Sequence, residues 1–338
     1  MNGRPDVPRV VLRATAAYLP ENRVTSATLG EGLGLTEADI VSRTGIVSRR
    51  WAAPDQTTAT LATEAGRRAL AKAGVVPGSV DRVLVSTTSP DMLFPSTACL
   101  VQDALGAKGA PAMDVFASCS GFLAALSMAR SAILTGDARR VLVIAADVKS
   151  RFLDLDDPGT AILFGDGAGA ALVEGVKAGE DGPLGRVGPV RLHTDGSRWK
   201  WVHMPAGGSR LPASADTVEA GLHTLKMDGI PLFRMAVKRF SEVVKESLAG
   251  EAWGLDEVDC FVFHQANLRI LEAVSKRLKL DPERVVTTVA EYGNTSSASL
   301  PITLDRAVTT GKIGPGSRVL LATFGGGITW GACPLVWD

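Results

Sequence analysis

Three side chains of this sequence combine reactive types with chemically useful positions. Cys119, in "MDVFASCSGFLAAL", stands between an apolar run and a chain of small residues. A free cysteine packs as a small buried hydrophobe; as a thiolate it is a nucleophile. At a helix N-terminus a thiol meets unsatisfied backbone N–H groups and the positive end of the dipole, which lowers its pKa. His264 ends the apolar run "CFVFHQAN" beside Gln and Asn, where it is either a hydrogen-bonded core residue or a participant in proton chemistry. Asn294 lies in "YGNTSSASLP", which is also ordinary turn and helix-cap chemistry. "FGGGITWG" (324–331) is either a tight turn needing positive φ or a source of backbone N–H groups for an oxyanion. The glycines of "FGDGAGAALVE" precede a strand pattern rather than a helix, so they do not make a dinucleotide fingerprint.

The elements that must hold these residues alternate. "DRVLVSTTS" (81–89), "APAMDVF" (110–116), "RRVLVIAADV" (139–148) and "AGAALVE" (168–174) read as strands. "TATLATEAGRRALAKAG" and the segment after Cys119 read as helices, the latter small-residued enough to be a central buried one. Such alternation predicts α/β layers. The plan then repeats: "VDRVLVSTT" from Val80 matches "VDCFVFHQA" from Val258, an interval of 178, and the Thr-Gly pairs at 135–136 and 310–311 are 175 apart. Two matches at nearly one interval predict duplicated halves, 1–180 and 181–338. Carrying the interval of 175 from Cys119 lands on Asn294, which predicts equivalent strand-to-helix junctions for the two, while His264 falls opposite a residue near Thr88. Strand carboxyl ends are where α/β folds place sites. Between the halves, "EGVKAGEDGPLGR" reads as a linker, and "GSRWKWVHMPAGGSRLPASADTVEAG", with Trp199 and Trp201, as a long excursion covering one face or a surface loop.

Composition bounds the function. The 338 residues are 46% hydrophobic and 21% charged, with Lys+Arg and Asp+Glu both at 36, so no global charge points to nucleic acid or an anionic membrane. Cys99, Cys119, Cys260 and Cys333 lack CxxC spacing, which fits reduced thiols better than disulfides or zinc. "MNGRPDVPRV" holds no apolar signal core and no run reaches the length of a membrane span. The expectation is a cytoplasmic protein.

The set "ASCSGF", "FGDGAGAA", "HQANLRI", "YGNTSSASLP" and "FGGGITWG", in this order along nearly the whole chain, resembles β-ketoacyl-acyl carrier protein synthase III, a condensing enzyme of the thiolase superfamily. The resemblance implies a thiolase-like αβαβα five-layer fold and a homodimer. It also implies an enzyme without a metal or tightly bound cofactor, supplied with acyl groups as phosphopantetheine or coenzyme A thioesters. By the same resemblance Cys119 takes the acyl group, and His264 and Asn294 stabilise the enolate left when a malonyl carrier loses carbon dioxide. The backbone N–H groups of Cys119 and Gly326 make the acyl oxyanion hole. Phe324 is an apolar wall beside the pair, Phe94 reaches into the partner's pocket, and Thr88, Lys149 and Leu225 line the acyl site. Arg43, Thr44 and Asn267 fall with the pantetheine arm; Arg234, Arg269, Lys276 and Arg277 fall with the basic patch that docks an acidic acyl carrier protein.

The sequence departs from the family at the coenzyme A clamp. The family's adenine-stacking tryptophan is Asp39 here, the arginine on the other side of the adenine is Pro158, and an asparagine near the pantetheine is Ile230. An aromatic–guanidinium clamp is worth about 1–2 kcal/mol or more, and Asp39 repels phosphate, so a carrier protein is the expected acyl donor. Lys149 stands where the family has an apolar residue. Three other activities share this scaffold: acyl transfer to an alcohol or amine, the joining of two carrier-bound β-ketoacyl chains, and a non-catalytic partner role, the last disfavoured because Cys119, His264 and Asn294 all persist.

Overall fold

The computed structural model describes residues 8–177 and 185–337. The expected boundary at 180/181 and the middle of the linker-like stretch lie outside them. Eleven strands form one sheet path: β1 (Arg9–Tyr18), β2 (Arg82–Ser86), β3 (Ala112–Val115), β4 (Arg140–Asp147), β5 (Gly167–Val176), β6 (Gly185–Val187), β7 (Arg191–Thr194), β8 (Cys260–Phe263), β9 (Val285–Val286), β10 (Arg318–Gly325) and β11 (Thr329–Trp337). The four strands expected at β2 to β5 are all present. The main helices are α1 (Glu37–Thr44), α2 (Thr58–Ala73), α3 (Thr97–Leu105), α4 (Gly121–Leu134), α5 (Gly229–Glu251), α6 (Leu268–Leu278) and α7 (Ser299–Thr309), with α1 resting on α6.

The path runs β9-β8-β10-β11-β6-β1-β5-β4-β2-β3, with β7 also on β11. One end has β2 parallel to β3 and β4, then β5 and β1 antiparallel in turn. The other end has β8 parallel to β9 and β10, then β11 antiparallel to β10. The two ends are copies, and the short β6 pairs both β1 and β11 to join them.

Because successive strand residues face opposite sides, each sheet half must be covered twice. Val141, Val143 and Ala145 of β4 share a core with Val319 and Leu321 of β10 and with α4 and α7. Leu142, Ile144 and Ala146 face α2 and α3 instead. Leu320 and Ala322 face α5 and α6. This makes five layers, with α4 and α7 in the middle. Burial on both faces is why the strands read as continuous apolar runs, and why α4 uses Ala and Gly where backbones crowd.

The repeat obeys one interval up to the central helices. Arg82 pairs with Val141 and Cys260 with Val319, both 178 residues on. Ser118 and Ser296, also 178 apart, both hold left-handed φ, 49° and 53°, a conformation non-glycine residues adopt at a cost. Cys119 therefore corresponds to Ser297, and His264 to Ser86; the expected equivalences with Asn294 and Thr88 are corrected. The interval of 175 holds only after the helices, because α7 has 11 residues and α4 has 14. The deficit is restored in the turn before β10.

Candidate active site

Cys119 sits in the single turn Ser118–Ser120 between β3 and α4. The left-handed Ser118 turns the chain sharply there. Two glycines permit the close packing behind it: a Cβ on Gly325 would lie 2.7 Å from the Cys119 Cβ, and one on Gly121 would collide with Ser86 Oγ. The Cys119 carbonyl accepts from Thr323 Oγ1 at 2.9 Å, which ties the turn to β10. The thiol lies 3.7 Å from Ser296 Oγ. Burial pushes its pKa up despite the Ser296 hydroxyl and Lys149, which act the other way. The lowered pKa expected from a helix N-terminus is thus corrected: desolvation of the thiolate outweighs the favourable contacts.

His264 follows β8 and is buried. Its Nδ1 is 2.5 Å from Ser299 Oγ, which also accepts from the Gln265 N–H at 3.2 Å. The Ser299 hydroxyl proton meets no acceptor other than Nδ1 among the described residues, so it is assigned to Nδ1, which places the hydrogen of the neutral ring on Nε2. Burial pushes the imidazole down to about 3, with the Asp147 charge opposing, so it is neutral at working pH. Asn294 Oδ1 accepts from the Ser296 N–H at 2.9 Å. Its NH2 group is then the free end. Backbone bonds from Asn294 N to Leu163 O and from Gly165 N to Asn294 O fix the residue against "FGDG".

Cys119, His264 and Asn294 converge on one cavity of about 540 Å³. Phe324, Gly326, Leu225, Thr88, Lys149 and Asn267 line the same cavity, as does the excursion through Trp199, Val202, His203 and Met204. The excursion is therefore a wall of the pocket. Cys260 and Cys333 lie in the core instead, their thiols pushed up to about 12 by burial. No group of three or more His, Cys, Asp or Glu with metal-holding geometry occurs among the described residues.

Other expected site residues are placed differently. Thr44 is buried, and its hydroxyl donates to Ile40 O and accepts from Ile46 N, so that it closes α1. Arg269 donates to Ser42 O and Val41 O and pairs with Glu272. These bonds anchor its guanidinium on the C-terminal carbonyls of α1 while the side chain stays part-exposed. Asn267 caps α6 by accepting from Arg269 N at 2.8 Å, and its amide donates to the carbonyl of the exposed Arg43. Arg234, Lys276 and Arg277 are exposed. Phe94 is 88% exposed and absent from the cavity lining of its own chain.

The departures have local roles. Asp39 forms the capping box of α1 with Thr36, its carboxylate accepting from Thr36 N and Oγ1, and these bonds hold its pKa below the usual carboxylate range. Pro158 opens a short helix, Pro158–Ala161, and Ile230 is exposed near the start of α5. Sequence reasoning missed the network beneath the pocket. Buried Asp147 accepts from Thr88 N, Ser89 Oγ, Ser297 N and Ser297 Oγ, and pairs with Lys149 at 3.2 Å. Burial alone would raise its pKa, but Lys149 and these donors hold it low. A run of Ser and Thr at both strand ends was the available signal.

Residues 113–196 match the family model for 3-oxoacyl-[acyl-carrier-protein] synthase III, and residues 248–337 match the model of its C-terminal part. The β-ketoacyl-[acyl-carrier-protein] synthase III of Caldanaerobacter subterraneus subsp. tengcongensis is 45% identical over 326 residues, 96% of each chain. The crystal structure of β-ketoacyl-[acyl carrier protein] synthase III from Thermus thermophilus superposes with a TM-score of 0.89 at 39% identity, covering 97% of this chain and 99% of that one. The priming β-ketosynthase from the R1128 polyketide biosynthetic pathway superposes at 0.88 and 35%, covering 100% and 99%.

Proposed function

The chain belongs to the β-ketoacyl-acyl carrier protein synthase III family of condensing acyltransferases, and from that premise we propose how its own residues carry the reaction and which donor they accept. The observation that carries the proposal is the meeting of one thiol with two oriented neutral donors, His264 Nε2–H and the Asn294 amide, in one cavity. Cys119 sulfur attacks the acyl thioester, the donor's C–S bond breaks, and the donor leaves as a thiol carrying the cysteine proton. The Cys119 and Gly326 N–H groups hold the oxyanion of that step.

A malonyl carrier then presents its thioester carbonyl to His264 and Asn294. Loss of carbon dioxide leaves an electron pair as an enolate, whose oxygen these donors stabilise. Neutral donors suit this step, since a cationic acid would protonate the carbanion before it attacked. The carbanion attacks the acyl carbon and expels the Cys119 thiolate. Phe324 supplies an apolar wall that favours loss of the carboxylate. Simple transfer to an alcohol or amine has no need of this donor pair.

The donor is a carrier protein rather than coenzyme A. Asp39 is committed to its capping box and presents negative charge, with neither Pro158 nor Ile230 able to stack or bind phosphate. Arg234, Lys276 and Arg277 dock the acidic carrier. Exposed Leu93 and Phe94, 85% and 88%, are covered in a homodimer, with Phe94 entering the partner's pocket. The enzyme works in the cytoplasm and uses no metal or resident cofactor. Intact-mass analysis with one acyl group on coenzyme A and on a carrier protein tests the donor: faster labelling of Cys119 by the carrier is expected, and equal rates overturn it.

A further inference from the structure

Lys149 is a charged side chain inside an acyl pocket. Its side chain is only 8% exposed, yet it lines the cavity together with Cys119 and Thr88. An ammonium has three N–H donors. One meets Asp147 Oδ1 at 3.2 Å and one meets Thr88 Oγ1. No third acceptor is present among the described residues, although a buried unpaired donor is costly. The pair is also close to the reacting sulfur: Asp147 Oδ2 binds Ser297, the neighbour of the Ser296 whose hydroxyl lies 3.7 Å from Cys119.

We propose that Lys149 reads the acyl chain, selecting one that carries a neutral hydrogen-bond-accepting oxygen, a ketone or hydroxyl, over a plain alkyl chain. This rests on the proposed acylation of Cys119. The acceptor is neutral because Asp147 already balances the Lys149 charge. A carboxylate brought in would be buried without a counter-charge. A plain alkyl chain would fill the space but leave the third donor dry and unpaired, and sites with buried donors reject analogues that lack the acceptor. The class of reaction that supplies such a substrate is a preceding ketoacyl-forming or ketoreducing step on a carrier.

The test uses the full-length protein and four thioesters on one phosphopantetheine carrier: butyryl, 3-oxobutyryl, 3-hydroxybutyryl and succinyl. The rate of adduct formation at Cys119 is followed by intact mass. A 3-oxobutyryl or 3-hydroxybutyryl rate about 10-fold or more above butyryl is expected, with Lys149→Met bringing that ratio close to one. Because Met leaves Asp147 unpaired, the double variant Asp147→Asn/Lys149→Met is measured alongside and should show the same lost ratio. A wild-type ratio near one overturns the inference while leaving Cys119 acylation standing. So does an unchanged ratio with all donors slowed equally in Lys149→Met, which would assign Lys149 to the thiol. Preference for succinyl overturns the neutral acceptor, and no adduct from any thioester overturns both readings.

Discussion

Ser299 Oγ lies 2.5 Å from Nδ1 of His264 and simultaneously accepts from the Gln265 N–H. This contact decides which ring nitrogen carries the proton, and therefore whether His264 offers the pocket a donor or a lone pair. Ser299→Ala removes the preference. Condensation is expected to fall about 10-fold or more, by analogy with the loss on removing residues that orient a histidine. Cys119 acylation, measured separately by mass, should change little. An equal fall in both steps would contradict this positioning role.

Asn294 is oriented in the same way by the Ser296 N–H on its Oδ1. Asn294→Asp keeps that bond and the shape but exchanges the donor for a negative acceptor facing an enolate. Removing one oxyanion donor costs about 10²–10³ in rate, so decarboxylation of the malonyl carrier should fall by at least that factor. Single-turnover carbon dioxide release from pre-acylated enzyme reads it directly. A drop below about 10-fold would remove Asn294 from the enolate site.

Burial raises the Cys119 pKa, so the reactive thiolate is a minority at neutral pH and grows with each unit of alkalinity. Iodoacetamide labelling of Cys119 should rise about tenfold per unit across pH 7 to 8.5. A plateau within that range would show a thiolate already formed.

His264 gives a stability signature. Its folded pKa is about 3, below the value near 6.5 of an unfolded histidine. Between these values the unfolded state binds one more proton than the folded, so this group removes about 1.4 kcal/mol of stability for each unit by which the pH drops. Above pH 6.5 it contributes no dependence. In urea unfolding between pH 6 and 4, His264→Asn should have a shallower acid slope than wild type by about that amount. Parallel slopes would contradict a buried neutral imidazole.

Much of this site was legible before any coordinates. β2 to β5 were visible because strands buried on both faces are unbroken apolar runs, and Cys119 and His264 lay just past such runs, while Asn294 follows the short helix Val289–Tyr292 and stood out by its turn motif. The partners that give them chemistry were not visible. Ser299 is 35 residues from His264, and Ser297 is 150 from Asp147; contacts of that kind leave no periodicity. Arg269 is alike, since its bonds to Ser42 O and Val41 O span more than 220 residues, whereas the Thr44 hydroxyl is taken up locally by Ile40 and Ile46 at the end of α1. The repeat misled over a single helical turn, where α7 is shorter than α4 and the interval slips by three.

The central claim is that Cys119 holds the acyl group while His264 and Asn294 drive the decarboxylation that consumes it. It is tested most directly by acylating the enzyme, removing excess donor, adding a malonyl carrier and following the mass of the protein with the carbon dioxide released. The account predicts loss of the adduct with one carbon dioxide and one β-ketoacyl carrier per site, and neither adduct nor condensation product in Cys119→Ala. A Cys119→Ala enzyme that still forms the β-ketoacyl carrier, or an adduct discharged without carbon dioxide, would contradict it.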